Sequence, residues 1–211
     1  MRHCRRAAVV AIVTVSTSAT ALATESGGED ALKTSGSITG LYYAMRDEPD
    51  FGVGVGAINR GPLRFEARYN YEAKHAASTF VGWKLAGGET VTYEVTPLAG
   101  VLFGAAHGVI PALEASVAYR SFDAYIEAEY EFDRDNSDDN YFYVWSELGW
   151  RPVEWLRVGL VGQRTRVVHT DRDLQRGVFA QFTVAKLTVS LYAFNPDASS
   201  RYTVLSIGAS F

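Results

Sequence analysis

Apolar and polar residues alternate one for one along most of the chain. From Leu63 onward, Leu63, Phe65, Ala67, Tyr69 and Tyr71 share one parity, while Arg64, Glu66, Arg68, Asn70 and Glu72 share the other. Phe122, Ala124, Ile126, Ala128, Tyr130 and Phe132 stand likewise against Asp123, Glu127, Glu129 and Glu131, and Val91, Tyr93, Val95, Ala99, Val101 and Phe103 form a third apolar row. A period of two is that of an extended strand lying between two unlike media. It predicts about twelve strands: Ser37 to Arg46, Phe51 to Asn59, Pro62 to Lys74, Ser78 to Ala86, Thr90 to Phe103, Val109 to Arg120, Phe122 to Asp133, Tyr141 to Arg151, Glu154 to Val168, Arg176 to Ala185, Leu187 to Asn195 and Arg201 to Phe211. Short connections such as Asn59-Arg60-Gly61, Gly87-Gly88 and Arg120-Ser121 alternate with longer polar ones such as Arg46 to Asp50 and Asp133 to Asn140.

Alternation does not say which face is wet. The aromatic residues do, because the outward set gathers at strand ends. Phe65, Trp83, Tyr93, Tyr119, Phe122, Trp150 and Phe211 fall near one end, and Tyr69, Tyr71, Phe103, Tyr130, Phe132 and Phe142 near the other. Two aromatic girdles around an apolar band mark a cylinder set in lipid. The competing reading is a secreted soluble β-sandwich or lipocalin-like binding protein, with the apolar face inside. Against it stand the strand lengths and a twelve-strand circumference, which encloses more volume than these side chains fill as a dry core.

The closing stretch carries the same pattern. Phe211, Ala209, Ile207 and Leu205 lie on one side, and Ser210, Gly208 and Ser206 on the other. A final alternating strand ending in Phe resembles the closing strand of Gram-negative outer-membrane β-barrel proteins. That resemblance implies an all-β chain forming a single antiparallel transmembrane β-barrel of about 12 strands in the outer membrane. It also implies short periplasmic turns, both termini in the periplasm, recognition of Phe211 by the barrel assembly machinery, and contact with outer-membrane lipid and lipopolysaccharide. It implies no substrate.

The first residues read as an export signal. Arg2, Arg5 and Arg6 precede an apolar core from Ala7 to Val15 that is too short to span a bilayer, and Ala21-Leu22-Ala23 is a small-x-small cleavage site. Cleavage after Ala23 leaves a short polar tail, Thr24 to Gly36, before the barrel of residues 37–211. It also moves the formal charge from −4 to −7, since three arginines leave and no acid does. The only cysteine, Cys4, goes with the signal, so no disulfide or thiol ligand remains. No basic run suggests nucleic acid, and neither a metal nor a cofactor is expected.

Candidate chemistry lies first on the inward face. Glu114, Asp123, Glu127, Glu129, Glu131 and Glu147 make an acidic wall beside Tyr141, Tyr143 and Trp145, with Glu114 expected near Glu129. Arg64, Arg68, Lys74 and Lys84 make a basic wall, tempered by Glu66 and Glu72. Opposed walls either set a field across a narrow diffusion channel favouring small polar or cationic solutes, or pair across the lumen and fill it, leaving a structural or surface barrel.

The loop Asp133 to Asn140 opens like a calcium loop, but Asp138 stands where an EF-hand needs Gly and Val144 where it needs Glu, so it reads as a solvated acidic loop. Arg164, Arg166, Arg172 and Arg176, around His169 near the outer rim, are candidate contacts for lipopolysaccharide phosphates, because guanidinium groups hold phosphates bidentately. An outer-membrane phospholipase or deacylase requires a Ser–His arrangement. His75, His107 and His169 show no such spacing. An adhesin role would rest on the loops Asp133 to Asn140 and Asn195 to Ser200, with no specific support in the residues. Gly52, Gly54 and Gly56 alternate with Phe51, Val53 and Val55, no helix pattern comes after them, and they are expected to face inward opposite bulkier groups.

Overall fold

The computed structural model describes residues 33–167 and 173–211. The signal sequence, nearly all of the polar tail, His169 and Arg172 lie outside them. Thirteen strands form in order: β1 (Thr34–Met45), β2 (Phe51–Arg60), β3 (Leu63–Tyr69), β4 (Ala76–Trp83), β5 (Leu85–Gly87), β6 (Val91–Gly104), β7 (Gly108–Tyr119), β8 (Phe122–Asp133), β9 (Tyr141–Val153), β10 (Leu156–Val167), β11 (Asp173–Val184), β12 (Leu187–Phe194) and β13 (Tyr202–Ser210). β1 starts at Thr34, so residues 34–36 of the expected tail belong to the first strand.

Apart from β4 and β5, each strand pairs antiparallel with its neighbour in sequence; β1 pairs with β13, and β4 pairs with β6. β5 resumes β4 beyond Lys84 and pairs with the same neighbour, β6. The result is a closed, all-antiparallel barrel of twelve staves with no free edge. Closure matters here, because an unpaired backbone amide or carbonyl facing hydrocarbon costs several kcal/mol.

Burial fixes which face is which. Large apolar side chains including Ile38, Phe65, Tyr93, Val101, Ile126, Leu160 and Ile207 are about half exposed on the outer surface. Arg64, Glu66, Arg68, Glu114, Glu127 and Glu129 are buried inside. A soluble protein has the reverse arrangement, so the barrel is transmembrane, with lipid against its wall. The expected girdle residues Phe65, Trp83, Tyr93, Tyr119, Phe122, Trp150, Phe211, Tyr69, Phe103 and Phe132 are all exposed on the outside, joined by Trp155 and Phe182.

Two facings differ from the pattern. Tyr71 points into the lumen, where it is 1% exposed. The strand ends at Tyr69 because Asn70 takes a left-handed backbone (φ 58°), which shifts the parity of the residues after it. Asn tolerates that region better than most residues. Its side chain donates to the Gly52 carbonyl at 3.0 Å and accepts from the His75 amide at 2.6 Å, so residues 70–75 form a compact loop that turns Tyr71 and Glu72 into the lumen and leaves Lys74 and His75 exposed.

Gly52, Gly54 and Gly56 face lipid instead of the lumen, while Val53, Val55 and Ala57 point inward and are buried. The lumen beside β2 is apolar, so the valines take it and the glycines are left outside. The pairing of β7 with β8 is likewise two residues from expectation. The turn at Arg120 (φ 54°) and Ser121 is tight, which sets Glu114 opposite Glu127 rather than Glu129.

Candidate functional site

The lumen is lined by two unlike sectors. On the side of β3, β4, β6, β7 and β8 the inward groups are largely ionic. Arg68 is the hub: its Nε donates to Glu66 at 2.5 Å, and its Nη1 reaches Glu129 at 3.0 Å, Glu127 at 3.1 Å and Glu72 at 3.5 Å. Arg64 joins Glu66 to Glu114. Since β3 and β8 are not neighbours in the sheet, Arg68 spans the interior above β4, β6 and β7.

Its guanidinium is sandwiched between the rings of Tyr71 (4.1 Å) and Phe80 (4.3 Å), a cation–π arrangement that suits arginine. Gly100 makes this geometry available, because a Cβ there would lie 2.3 Å from the Phe80 ring. The inward loop completes the cluster. The Tyr71 hydroxyl donates to Glu127 at 2.5 Å, and Glu72 accepts from the Ser78 hydroxyl at 2.7 Å. Within this cluster five buried carboxylates (Glu66, Glu72, Glu114, Glu127, Glu129) face two guanidinium groups.

Toward the periplasmic end a second ionic knot forms. Arg157 donates to Asp123 at 2.5 Å and to Glu147 at 2.5 Å, and Arg151 also pairs with Asp123. Gly149 leaves the room, since a Cβ there would fall 2.5 Å from the Arg157 Nε. Lys84 pairs with Glu94 at 3.0 Å.

The other sector, from β9 through β13 to β1 and β2, is aromatic. Phe51 stacks on Tyr43 (4.6 Å), Phe194 on Tyr202 (4.7 Å), and Trp145 meets Phe194 and Tyr192 edge-on at 5.4 and 5.5 Å. Such offset and edge-to-face pairs are the favoured ring geometries. Tyr202 donates to Gln163 at 3.1 Å.

Every stave contributes at least one inward side chain with almost no water contact, from Tyr43 and Val55 through Arg64, Ser78, Thr96, Ile110, Glu127 and Tyr143 to Val161, Gln181, Phe194 and Val204. The interior is therefore packed rather than an open water column. Side chains fill a twelve-strand lumen because long aromatic and arginine groups cross it and Tyr71 and Glu72 are turned in as well.

The residues named from sequence distribute as follows. Glu114, Asp123, Glu127, Glu129, Glu131 and Glu147 all point inward, as do Arg64, Arg68 and Lys84. Lys74, expected in the basic wall, is instead exposed on the loop after β3, 5.4 Å from the Phe51 ring. The carboxylate beside Tyr143 is Glu129, and that beside Trp145 is Glu127, yet the phenol donors to Glu127 are Tyr71 and Tyr125.

Arg157 was not singled out from sequence; its parity with Val161 and Gln163 would have found it. Arg164, Arg166 and Arg176 sit on the outer wall. The Asp133 to Asn140 loop closes on itself, with Asp133 Oδ1 accepting from the Asp135 and Asn136 amides at 2.7 Å and Asn140 accepting from the Asp133 amide at 2.7 Å. Among the described residues no group of acids and histidines is arranged to hold a metal ion. His75 lies on the loop and His107 meets Asp135 at 3.3 Å; among the described residues no serine hydroxyl bonds to either.

A closed antiparallel barrel with charged groups inside and apolar rows outside is a transmembrane β-barrel of the outer-membrane type. Solved structures agree at the level of fold. The chain is similar to the KdgM porin in complex with disordered oligogalacturonate, with a TM-score of 0.62 at 10% identity, covering 83% of this chain and 98% of that one. A second structure of the KdgM porin superposes with a TM-score of 0.59 at 13% identity over the same shares. No family model matches the chain, and no curated protein matches it in sequence.

Proposed function

We propose that the barrel is a narrow diffusion channel for small polar and cationic solutes, resting with its lumen shut. The observation that carries this reading is the folded-in loop over an ionic cluster in which carboxylates outnumber guanidinium groups five to two. Carboxyl groups in surplus in a water-poor interior must take up either protons or cations, so a cation arriving from water is held strongly there. The loop is the natural movable part: it is a connection rather than a stave, and it is held by Asn70 and by the contacts of Tyr71 and Glu72.

The neighbouring KdgM porin is solved with oligogalacturonate, an acidic oligosaccharide. The surplus of carboxylates here argues against a polyanion and for a solute of the opposite charge.

A second reading rests on the burial itself. With every stave contributing a shielded side chain, the cluster serves as a rigid strut and the barrel is a structural or surface element.

Single-channel recording in planar bilayers separates the two. The wild type is expected to give small, infrequent steps, and removal of residues 71–74 larger and longer ones. Glu127→Gln with Glu129→Gln should bring the reversal potential in a salt gradient closer to zero. Silence from both the wild type and the loop deletion, with heat-modifiable mobility showing folded barrels, would leave the structural reading standing.

A further inference from the structure

Charged side chains on the outer wall are few and sit at its rims, Arg60 at the turn end of β2 among them. The outward rows of β6, β7, β8, β9 and β12 contain no charged side chain. On β10 and β11, by contrast, Arg164, Arg166 and Arg176 face outward close to the outer loops. Register places Arg176 beside Gly162 and Arg164 beside Leu174, so the three lie on adjacent staves within ~13 Å along the strands, at 3.3 Å per residue.

Directly toward the membrane centre from them the wall is concave. A groove of about 600 Å³ opens there between Leu148, Leu160, Val178 and Pro196, over a floor of Ser146 and Gly162. Its apolar walls are about half exposed on the lipid side. The small floor residues are what make it a depression, with the Ser146 hydroxyl turned back onto the Gly162 carbonyl at 3.3 Å.

The order of these features along the membrane normal is informative. Guanidinium groups at the rim with an apolar trough beneath match a lipid that has an anionic head and several acyl chains. We infer that this face of β9, β10 and β11 binds a phosphorylated, multiply acylated lipid of the outer leaflet, lipopolysaccharide, with its phosphates on Arg164, Arg166 and Arg176 and an acyl chain in the groove.

Two details favour an occupant of that charge. Arg164 Nε is shielded from solvent and has no hydrogen-bond partner among the described residues. Arg176 pairs with Asp197 at 3.2 Å, but both side chains are more than half exposed, and such surface pairs exchange readily for a better-matched partner. A phosphate offers arginine the bidentate geometry that one exposed carboxylate holds only loosely here. The site is independent of the channel reading, since it lies on the opposite face of the wall.

Native mass spectrometry of the full-length protein purified in mild detergent, with added lipid A, tests this. The wild type should retain lipid A, and the variant combining Arg164→Ala, Arg166→Ala and Arg176→Ala should retain at least about tenfold less, equivalent to losing one charge-assisted hydrogen bond. Dephosphorylated lipid A should bind the wild type about as weakly as the variant binds the intact lipid. Gly162→Trp, which fills the groove and keeps all three arginines, should also lower retention. Heat-modifiable mobility verifies that each variant remains a folded barrel. Equal retention by the wild type and the triple variant, or equal binding of dephosphorylated lipid, overturns the assignment.

Discussion

The two sectors of the lumen solve one problem by opposite means. Both are sealed from water inside a membrane cylinder, yet the β3 to β8 sector is held by ionic hydrogen bonds and the β9 to β2 sector, apart from the Arg157 knot at its periplasmic end, by ring contacts. In the ionic sector each member depends on several others: Arg68 alone serves Glu66, Glu72, Glu127 and Glu129. In the aromatic sector Tyr202, Phe194, Trp145 and Tyr192 touch in a chain, and each ring keeps other neighbours if one is trimmed. A buried charge that loses its partner has no fallback, whereas a ring that loses a hydroxyl keeps its packing. The ionic sector is thus the brittle one, and it is also the one the loop touches.

The largest effect should come from breaking its hub. Arg68→Met keeps the bulk and removes the charge, leaving carboxylates stranded, and is expected to cost about 3–5 kcal/mol. Denaturant unfolding of the barrel in detergent micelles measures it. Adding Glu129→Gln to that variant should recover part of the loss, by about 0.5–3 kcal/mol of coupling. A single Arg68 variant as stable as wild type would show that the sectors do not differ in this way.

On the aromatic side, Tyr202→Phe removes only the bond to Gln163 and should cost about 0.5–1.5 kcal/mol by the same assay. A loss equal to that of Arg68→Met would erase the contrast.

The smallest effect lies outside both sectors, in the loop after β1. The Tyr42 phenol, bonded at 2.6 Å, and then the Met45 amide hold the Asp50 carboxyl below its usual range. A carboxyl depressed in the folded state contributes stability that is complete above the ordinary value of 3.8 and is lost only as pH falls through the lower folded value. The loop should therefore be unchanged from neutrality down to about pH 4. An NMR titration of Asp50 with a midpoint at or above the ordinary value would contradict this.

Much of this architecture was legible from parity alone. The rows through Phe65, Tyr93 and Ile126 face lipid, and those through Arg68 and Glu127 face the lumen, because a strand can do nothing else with alternate residues. Parity fails where the strand stops, and Asn70 was the stop. Its tolerance of a left-handed backbone was the available signal, and continuing the period past it placed Tyr71 on the wrong side.

Parity is also silent about what a lumen contains. Val53 and Val55 point inward because that sector is apolar, a property set by Tyr43 and Tyr202 on other strands. Local alternation could not reveal it, and the glycines were misassigned for that reason. The outer arginines were visible as a cluster; the groove beneath them was not, because it needs three staves in register.

The seam between β1 and β13 has a consequence of its own. Gly36 and Phe211 exchange backbone bonds of 2.8 and 2.9 Å, with the Phe211 ring lying against Gly36. The two strands farthest apart in sequence thus close the largest loop of any pairing in the barrel, at the greatest entropic cost. Until they meet, a half-built cylinder offers raw amides to oil that cannot hydrate them. A side chain in place of Gly36 would push the Phe211 ring aside, while the pairing from Ser37 with Ser210 to Met45 with Tyr202 keeps the cylinder sealed.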